Sequence, residues 1–185
     1  MNLLDFIVTV DDALPLNVCE GIIAEYQDPE DWLTGSINYG KVDHSIRDCD
    51  TVLLSHEDTI SYNPIVRKDI DQTLQGIVKQ LIVHYNTKCP GSNVSQDSGY
   101  ELLRYHEGGH FATHVDTSRN WLRVLSVIFM LNNTFEGGEL SFWDGAYTLN
   151  LLPGQALIFP SSFQYPHAVL PVTKGKRYSI VTWLR

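Results

Sequence analysis

The sequence has few cysteines and few basic residues for a chain of 185 residues. Its cysteines, Cys19, Cys49 and Cys89, are odd in number and form no Cys-x-x-Cys pair, which argues against a disulfide framework or a thiolate zinc site. Lysine and arginine total 13 against 22 aspartates and glutamates, so the net charge is −9. An acidic chain without a basic block is poorly suited to gripping a phosphate backbone, so we expect no nucleic-acid partner.

Long hydrophobic runs are also missing. No run approaches the roughly 20 apolar residues of a membrane span. The first residues, MNLLDFIVTVDD, lack the basic region and cleavage site of a signal peptide. We therefore expect a cytoplasmic protein with reduced thiols and no membrane contact. A composition of 43% hydrophobic and 19% charged residues indicates one globular domain with a substantial core.

The chain divides near residue 99 into a helical front and a strand-rich back. Residues 15–27 and 64–86 carry apolar side chains at helical spacing, and each has a proline near its start. The polar segment 40–50 is predicted to be a loop. Residues 1–99 are therefore predicted to supply helical support and loops to a single domain that spans residues 1–185.

Residues 100–185 show the pattern of a mainly β structure. Short runs of Val, Ile, Leu, Tyr and Phe alternate with Gly, Pro and Asn, and the connections are too short for helical crossovers. This predicts a sandwich or double-sheet jelly roll flanked by the N-terminal helices. Residues 123–131 are apolar on both faces, as in a strand with helices on one side and an interior on the other. The predicted strands lie near 100–106, 110–116, 123–131, 139–143, 147–152, 155–160, 166–171 and 177–184.

One histidine and one aspartate suggest a metal site within residues 110–116, HFATHVD. His114 and Asp116 are two residues apart, so on a strand they point to the same face. His167, at the start of a later predicted strand, could supply a third ligand. Two histidines and one carboxylate that leave one metal face open form the facial triad of non-haem Fe(II) oxygenases. A lone His-x-Asp is common, however, so the prediction depends on its surroundings.

Two other histidines compete for this role. His106 and His110 are four residues apart, which would suit a helix, but the intervening Glu107-Gly108-Gly109 predicts a turn between strands. We therefore expect both to be polar residues of a turn or rim.

The stretch from Tyr105 to Asp116 resembles the Tyr-x-x-Gly-x-x-Tyr/Phe-x-x-His-x-Asp signature of the prolyl 4-hydroxylase family of 2-oxoglutarate/Fe(II) dioxygenases. Further blocks of that family follow in the same order to the C-terminus. They are Leu131-Asn132-Asn133, Gly137-Gly138-Glu139-Leu140-Ser141-Phe142, Pro153-Gly154-Gln155-Ala156-Leu157-Ile158-Phe159, His167-Ala168-Val169-Leu170-Pro171-Val172, Gly175-Lys176-Arg177-Tyr178 and Trp183.

The resemblance implies a double-stranded β-helix, or jelly roll, braced by N-terminal helices. It also implies that His114, Asp116 and His167 bind Fe(II), with 2-oxoglutarate and O₂ as cosubstrates.

The same resemblance assigns the residues that would bind 2-oxoglutarate. Arg177 occupies the place of the basic residue that pairs with the distal carboxylate, and a planar guanidinium suits that contact. Tyr105 would donate its hydroxyl to the same carboxylate, with Ser126 adding a smaller contact from the facing strand.

The resemblance also indicates substrate-contact candidates. Ile46-Arg47-Asp48 resembles a segment that borders the substrate cleft in the hypoxia-sensing branch, so Arg47 and Asp48 are candidates and residues 40–50 are predicted to cover the site. Trp183 shares a strand face with Arg177 and is either a substrate contact or a core plug. Met130 stands where that branch has a tyrosine, which leaves the particular proline-bearing substrate open.

The implied activity is hydroxylation of a proline in a peptide or protein, with release of succinate and CO₂ and with ascorbate as reductant. The charge of −9 favours a basic substrate protein. Two alternatives stay open: the same chemistry on a free amino acid or other small molecule, and a jelly-roll module that holds a metal without turnover. We expect a monomer or weak dimer.

Overall fold

The computed structural model describes residues 2–37, 40–54, 64–118 and 122–185, without the side chains of residues 64–67. Within these ranges two α-helices, α1 (Leu16–Glu25) and α2 (Pro64–Lys88), accompany fourteen strands. The strands are β1 (Val8–Val10), β2 (Leu33–Thr34), β3 (Arg47–Asp48), β4 (Asp50–Leu53), β5 (Glu101–Tyr105), β6 (His110–His114), β7 (Leu125–Met130), β8 (Phe135–Gly137), β9 (Leu140–Phe142), β10 (Tyr147–Leu149), β11 (Ala156–Pro160), β12 (His167–Val169), β13 (Val172–Gly175) and β14 (Arg177–Leu184). Among the described residues, no helix combines the length and hydropathy that a membrane span requires.

Two antiparallel sheets form the body of the fold. The larger has the strand order β1-β11-β7-β14-β5-β4-β2, and the smaller has the order β10-β9-β12-β6-β3. A separate two-stranded sheet pairs β8 with β13. Each of the eight predicted strands contains an observed strand, and both predicted helices are present. The predicted double-sheet architecture with flanking helices is therefore confirmed.

The front half of the chain contributes strands as well as helices and loops. Strands β1, β2 and β4 extend the larger sheet, and β3 forms an edge of the smaller one. The predicted loop at residues 40–50 is wrong at its end, because Arg47 and Asp48 pair with Phe111 and His110 of β6. A two-residue strand has no period of its own, and only its partner in the folded sheet defines it.

Strand β7 shows how two hydrophobic cores arise from one sheet. Leu125, Val127 and Phe129 belong to the core that the larger sheet shares with both helices. Ile128 and Met130 belong to the core between the two sheets. Successive strand residues point to opposite faces, so a strand apolar at nearly every position has both faces covered, as predicted.

Helix α2 is expected to stabilise the fold through its buried face. Leu74 is fully buried against the sheet, whereas Val83 on the same helix is 67% exposed. Leu74→Ala should lower the free energy of unfolding by about 2–5 kcal/mol, because it removes packed methyl groups and leaves a cavity. Val83→Ala should change it by less than about 0.5 kcal/mol. Urea denaturation of both variants measures the difference, and equal effects would show that α2 does not brace the sheet as described.

Candidate active site

Three potential metal ligands meet where β6 and β12 lie side by side. In the antiparallel pairing His167, the first residue of β12, lies opposite His114, the last residue of β6. Asp116 follows two residues later, with its Oδ1 3.5 Å from His114 Nε2 and its Oδ2 3.5 Å from His167 Nε2. One ligand atom from each of the three residues lies within 4.8 Å of the others. The structure thus brings together the three residues predicted as a triad.

Both imidazole rings are oriented by backbone carbonyls. His114 Nδ1 lies 2.9 Å from the carbonyl oxygen of Ala112, and His167 Nδ1 lies 3.0 Å from that of Tyr165. A carbonyl oxygen only accepts hydrogen bonds, so each Nδ1 carries a proton, which leaves Nε2 as the metal-binding nitrogen of the neutral ring. Such contacts fix the tautomer and orientation of metal-binding histidines.

The charges at this site also suit a cation. Burial lowers the pKa of His167 to about 4 despite the nearby Asp116 carboxylate, so the ring is neutral at neutral pH. Burial alone would raise the pKa of Asp116, but His167, His114 and the Ser126 hydrogen bond hold it well below its usual range. One carboxylate and two imidazoles form a donor set that fits Fe(II).

Arg177 is the second unusual feature of the site. It is 1% exposed, its Nε donates to the Gly138 carbonyl at 3.1 Å, and its Nη1 donates to Ser179 Oγ at 2.8 Å. Its buried Nη2 has no hydrogen-bond partner, and no described carboxylate forms an ion pair with it. Burial lowers its pKa, but a guanidinium stays charged. A buried charge without a counter-ion is costly, so this pocket suits an anionic ligand.

One cavity of about 590 Å³ connects the His-Asp-His cluster with Arg177. Tyr105 lines the same cavity and pairs with Arg177 across the sheet, with the guanidinium carbon 5.3 Å from the Tyr105 ring centroid. Burial raises the pKa of Tyr105 above its usual value, so the phenol stays protonated and can donate a hydrogen bond. The cavity therefore offers three potential metal ligands at one place and cationic and hydroxyl donors at another.

Ser126 lies in a different position from the one predicted. Its hydroxyl donates to Asp116 Oδ2 at 2.5 Å and lies 2.8 Å from Ser161 Oγ, and Ser126 is not among the residues that line the cavity. The serine beside Arg177 is Ser179, which the sequence reasoning did not select. It faces the cavity because it lies two residues after Arg177 on β14, a period-2 signal that was available in the sequence.

Arg47 lines the cavity, but its guanidinium nitrogens already donate hydrogen bonds to other protein atoms. Nε donates to Cys49 Sγ at 3.2 Å, Nη1 to the Ser36 carbonyl at 2.8 Å, and Nη2 to Glu101 at 3.4 Å. Burial would lower the pKa of Arg47, but Glu101, Cys49 and Tyr105 raise it above its usual value. The side chain is thus a fixed part of the cavity wall.

The other two substrate-contact candidates differ in position. Asp48 is not among the cavity-lining residues, and its carboxylate lies 2.8 Å from the His44 ring, so the geometry gives its predicted role no support. Trp183 does line the cavity, with the Arg123 guanidinium carbon 3.4 Å from its ring centroid. Arg123 Nη1 also donates to the Asp116 carbonyl at 3.3 Å. The sequence reasoning missed Arg123, which lies in no matched motif.

The C-terminal half of the chain matches a known family. Residues 100–185 match the model of the 2OG-Fe(II) oxygenase superfamily. Among curated relatives, a PKHD-type hydroxylase of Idiomarina loihiensis is 38% identical over 91 residues and one of Shewanella oneidensis is 37% identical over 92 residues. These matches cover 45% and 44% of this chain but only 40% of each relative. Residues 100–185, a little under half of the chain, are thus similar to the 2OG-Fe(II) oxygenase superfamily, and the chain spans about two fifths of the length of the curated relatives it matches.

Solved structures resemble nearly the whole chain. A prolyl-4-hydroxylase of Pseudomonas putida superposes with a TM-score of 0.74 at 22% identity, covering 97% of this chain and 92% of that one. A prolyl hydroxylase of Trichoplax adhaerens, solved with a hypoxia inducible factor peptide fragment, superposes with a TM-score of 0.79 at 17% identity, covering 97% and 83%. The fold is that of the prolyl hydroxylase jelly roll, and the predicted resemblance to the prolyl 4-hydroxylase family is confirmed.

Metal binding should depend on His114 and not on its neighbour along β6. His110 is four residues earlier, its ring contacts the Ser45 and Gly108 carbonyls, and it lies outside the triad. His114→Ala should weaken Mn(II) binding by more than about 100-fold, because a direct ligand should matter at least as much as the contacts that orient it. His110→Ala should bind Mn(II) like the original protein. Titration without oxygen, followed by electron paramagnetic resonance, compares the variants, and an equal loss in both would place the metal elsewhere.

Proposed function

We propose that this protein is a 2-oxoglutarate- and Fe(II)-dependent dioxygenase that hydroxylates a proline within a peptide or protein. The observation that carries the proposal is the buried Arg177, which lacks a described carboxylate partner in the cavity that also holds the His-Asp-His cluster. Burying an unpaired guanidinium lowers the stability of the fold. A protein that only held a metal would have no need for this second, anion-binding group.

The triad would hold the metal through two neutral imidazoles and one carboxylate. His114 and His167 present Nε2 lone pairs, and Asp116 supplies the negative charge. When bound, Fe(II) supplies the coupled chemistry in which 2-oxoglutarate and O₂ become succinate and CO₂ while one oxygen atom enters a substrate C–H bond. Ascorbate is the proposed reductant that keeps the iron ferrous.

The pocket around Arg177 would hold the distal carboxylate of 2-oxoglutarate. Nη2 is the free donor of the guanidinium, and the Ser179 hydroxyl, which accepts from Nη1, keeps its own proton to donate. Tyr105 adds a protonated phenol on the neighbouring strand. Hydrogen bonds to charged groups in a dry pocket are strong, so these donors give selectivity for a second carboxylate.

The substrate would enter past Trp183, which lines the cavity with Arg123 stacked on its ring. Arg47 is proposed to shape the wall, since its nitrogens are engaged by protein acceptors. A peptide substrate is supported by the structural neighbour from Trichoplax adhaerens, which was solved with a peptide bound. The charge of −9 supports a basic partner protein, which an acidic enzyme would attract. A free amino acid remains the alternative substrate of the same chemistry.

Arg177 should govern the 2-oxoglutarate requirement while its neighbour does not. Arg177→Met should raise the 2-oxoglutarate KM by about 10- to 100-fold, because it removes a charge-assisted hydrogen bond in a buried pocket. Lys176→Met, at the adjacent exposed position, should leave this KM unchanged. Succinate release at varied 2-oxoglutarate measures both, and Mn(II) affinity should stay constant. A loss confined to metal binding would contradict the role of Arg177.

Substrate class can be tested with matched peptides. One peptide carries a central proline flanked by lysines, and its control carries the same core flanked by glutamates. We expect an oxygen-atom mass gain on the proline, with a larger kcat/KM for the basic peptide and a difference that shrinks with added salt. Hydroxylation of free proline, with neither peptide modified, would favour the small-molecule alternative.

A further inference from the structure

Asp116 lies beyond the end of β6, so the strand pairing of β6 does not fix its position. Strand β6 ends at His114, and Asp116 follows two residues later. The chain here is tied instead to Ser161, because the Thr117 amide donates to the Ser161 carbonyl at 3.0 Å. Ser161 is itself fixed, since its own amide donates to the Val124 carbonyl at 2.9 Å. These hydrogen bonds fix the backbone next to Asp116 but not the rotation of its side chain. Contacts of the carboxylate itself therefore set its orientation.

Two buried hydroxyls supply those contacts. Ser126 on β7 is fully buried, and Ser161, directly after β11, is 1% exposed. Ser126 Oγ lies 2.5 Å from Asp116 Oδ2 and 2.8 Å from Ser161 Oγ. A serine hydroxyl has one proton, and the ionised carboxylate can only accept. Ser126 therefore donates to Asp116, and Ser161 must donate to Ser126, which fixes the direction of the chain of hydrogen bonds.

This chain of hydrogen bonds treats the two carboxylate oxygens differently. Each oxygen lies 3.5 Å from the Nε2 atom of one imidazole, Oδ1 from that of His114 and Oδ2 from that of His167. Oδ2 also accepts the hydrogen bond of Ser126, whereas no described side-chain hydroxyl donates to Oδ1. A charge-assisted O–H···O⁻ bond this short is strong and resists rotation of the carboxylate. Oδ1 is therefore the oxygen that keeps its full capacity as a ligand.

We propose that Ser126 and Ser161 form a hydroxyl relay that positions Asp116 to bind the metal through a single oxygen, Oδ1. His114 and His167 would hold the metal together with Oδ1 of Asp116, and with Oδ2 engaged by Ser126 the metal would keep room for 2-oxoglutarate and O₂. Both serines are positioning residues, and their role rests on the proposed metal site.

The relay is tested by metal binding and spectroscopy without turnover. Ser126→Ala should weaken Mn(II) binding by about 10- to 100-fold, the usual effect of removing a hydrogen bond to a ligand. It should also alter the visible spectrum of the Co(II)-loaded protein and weaken 2-oxoglutarate binding to it, because Oδ2 is released to the metal. Ser126→Thr keeps the hydroxyl and should restore both properties. Ser161→Ala should give a smaller loss, since Ser126 keeps its own proton.

The control variant is Ser141→Ala. Ser141 is also a buried serine, on β9 between Leu140 and Phe142, which belong to the core between the sheets, so its side chain points the other way. It should bind Mn(II) and Co(II) like the original protein.

The possible results separate the relay from the function on which it rests. Original affinity and an original Co(II) spectrum in Ser126→Ala would overturn the relay, as would an equal loss in Ser126→Thr, which would indicate packing alone. If Ser126→Ala fails to fold, Ser161→Ala decides, and unchanged metal binding there would overturn the relay. If the original protein binds no metal at all, the proposed function itself fails.

Discussion

The antiparallel register between β6 and β12 is the constraint on which the site depends. It sets His114 opposite His167, so that two residues 53 positions apart in the chain become neighbours. A slip of one residue along either strand would turn one imidazole to the other face of the sheet. The neighbouring pairing of β12 with β9 and the short strand β3 on the other side of β6 hold this register from both directions.

The fold also buries the positive charge of Arg177 without a described carboxylate to neutralise it. Arg177 lies between the sheets among apolar side chains, with hydrogen bonds to the Gly138 carbonyl and to Ser179 but no described counter-ion. Gly138 allows this arrangement, because its φ is +67° and a Cβ there would lie 2.9 Å from the Arg177 side chain. Burying Arg177 thus lowers stability at one position and leaves a pocket that suits an anionic ligand, which is typical of preorganised sites.

The arrangement of the larger sheet explains how structural and functional surfaces coexist. Along β14, the face with Tyr178 and Ile180 packs under the helices, while Arg177 and Ser179 face the cavity. The helices thereby stabilise the strand from outside, and none of their described side chains lines the cavity. Substitutions on the two faces should accordingly separate stability from ligand binding, because period-2 alternation keeps the two sets of side chains apart.

The sequence by itself determined eight of the ten strands after residue 99, both helices, the three residues of the His-Asp-His cluster and the strand face that carries Arg177. Period-2 patterns, helical patterns and ordered motifs allowed this, because they are local properties of the sequence. Tertiary structure alone decided where Arg47 and Ser126 point. Arg47 is engaged by Ser36 and Glu101, and Ser126 contacts Asp116 from another strand. The two-residue strand β3 likewise could not be predicted from the sequence, since it is defined by its pairing with β6. Such contacts join segments far apart in the chain, and no local pattern records which donor meets which acceptor once the sheets have closed.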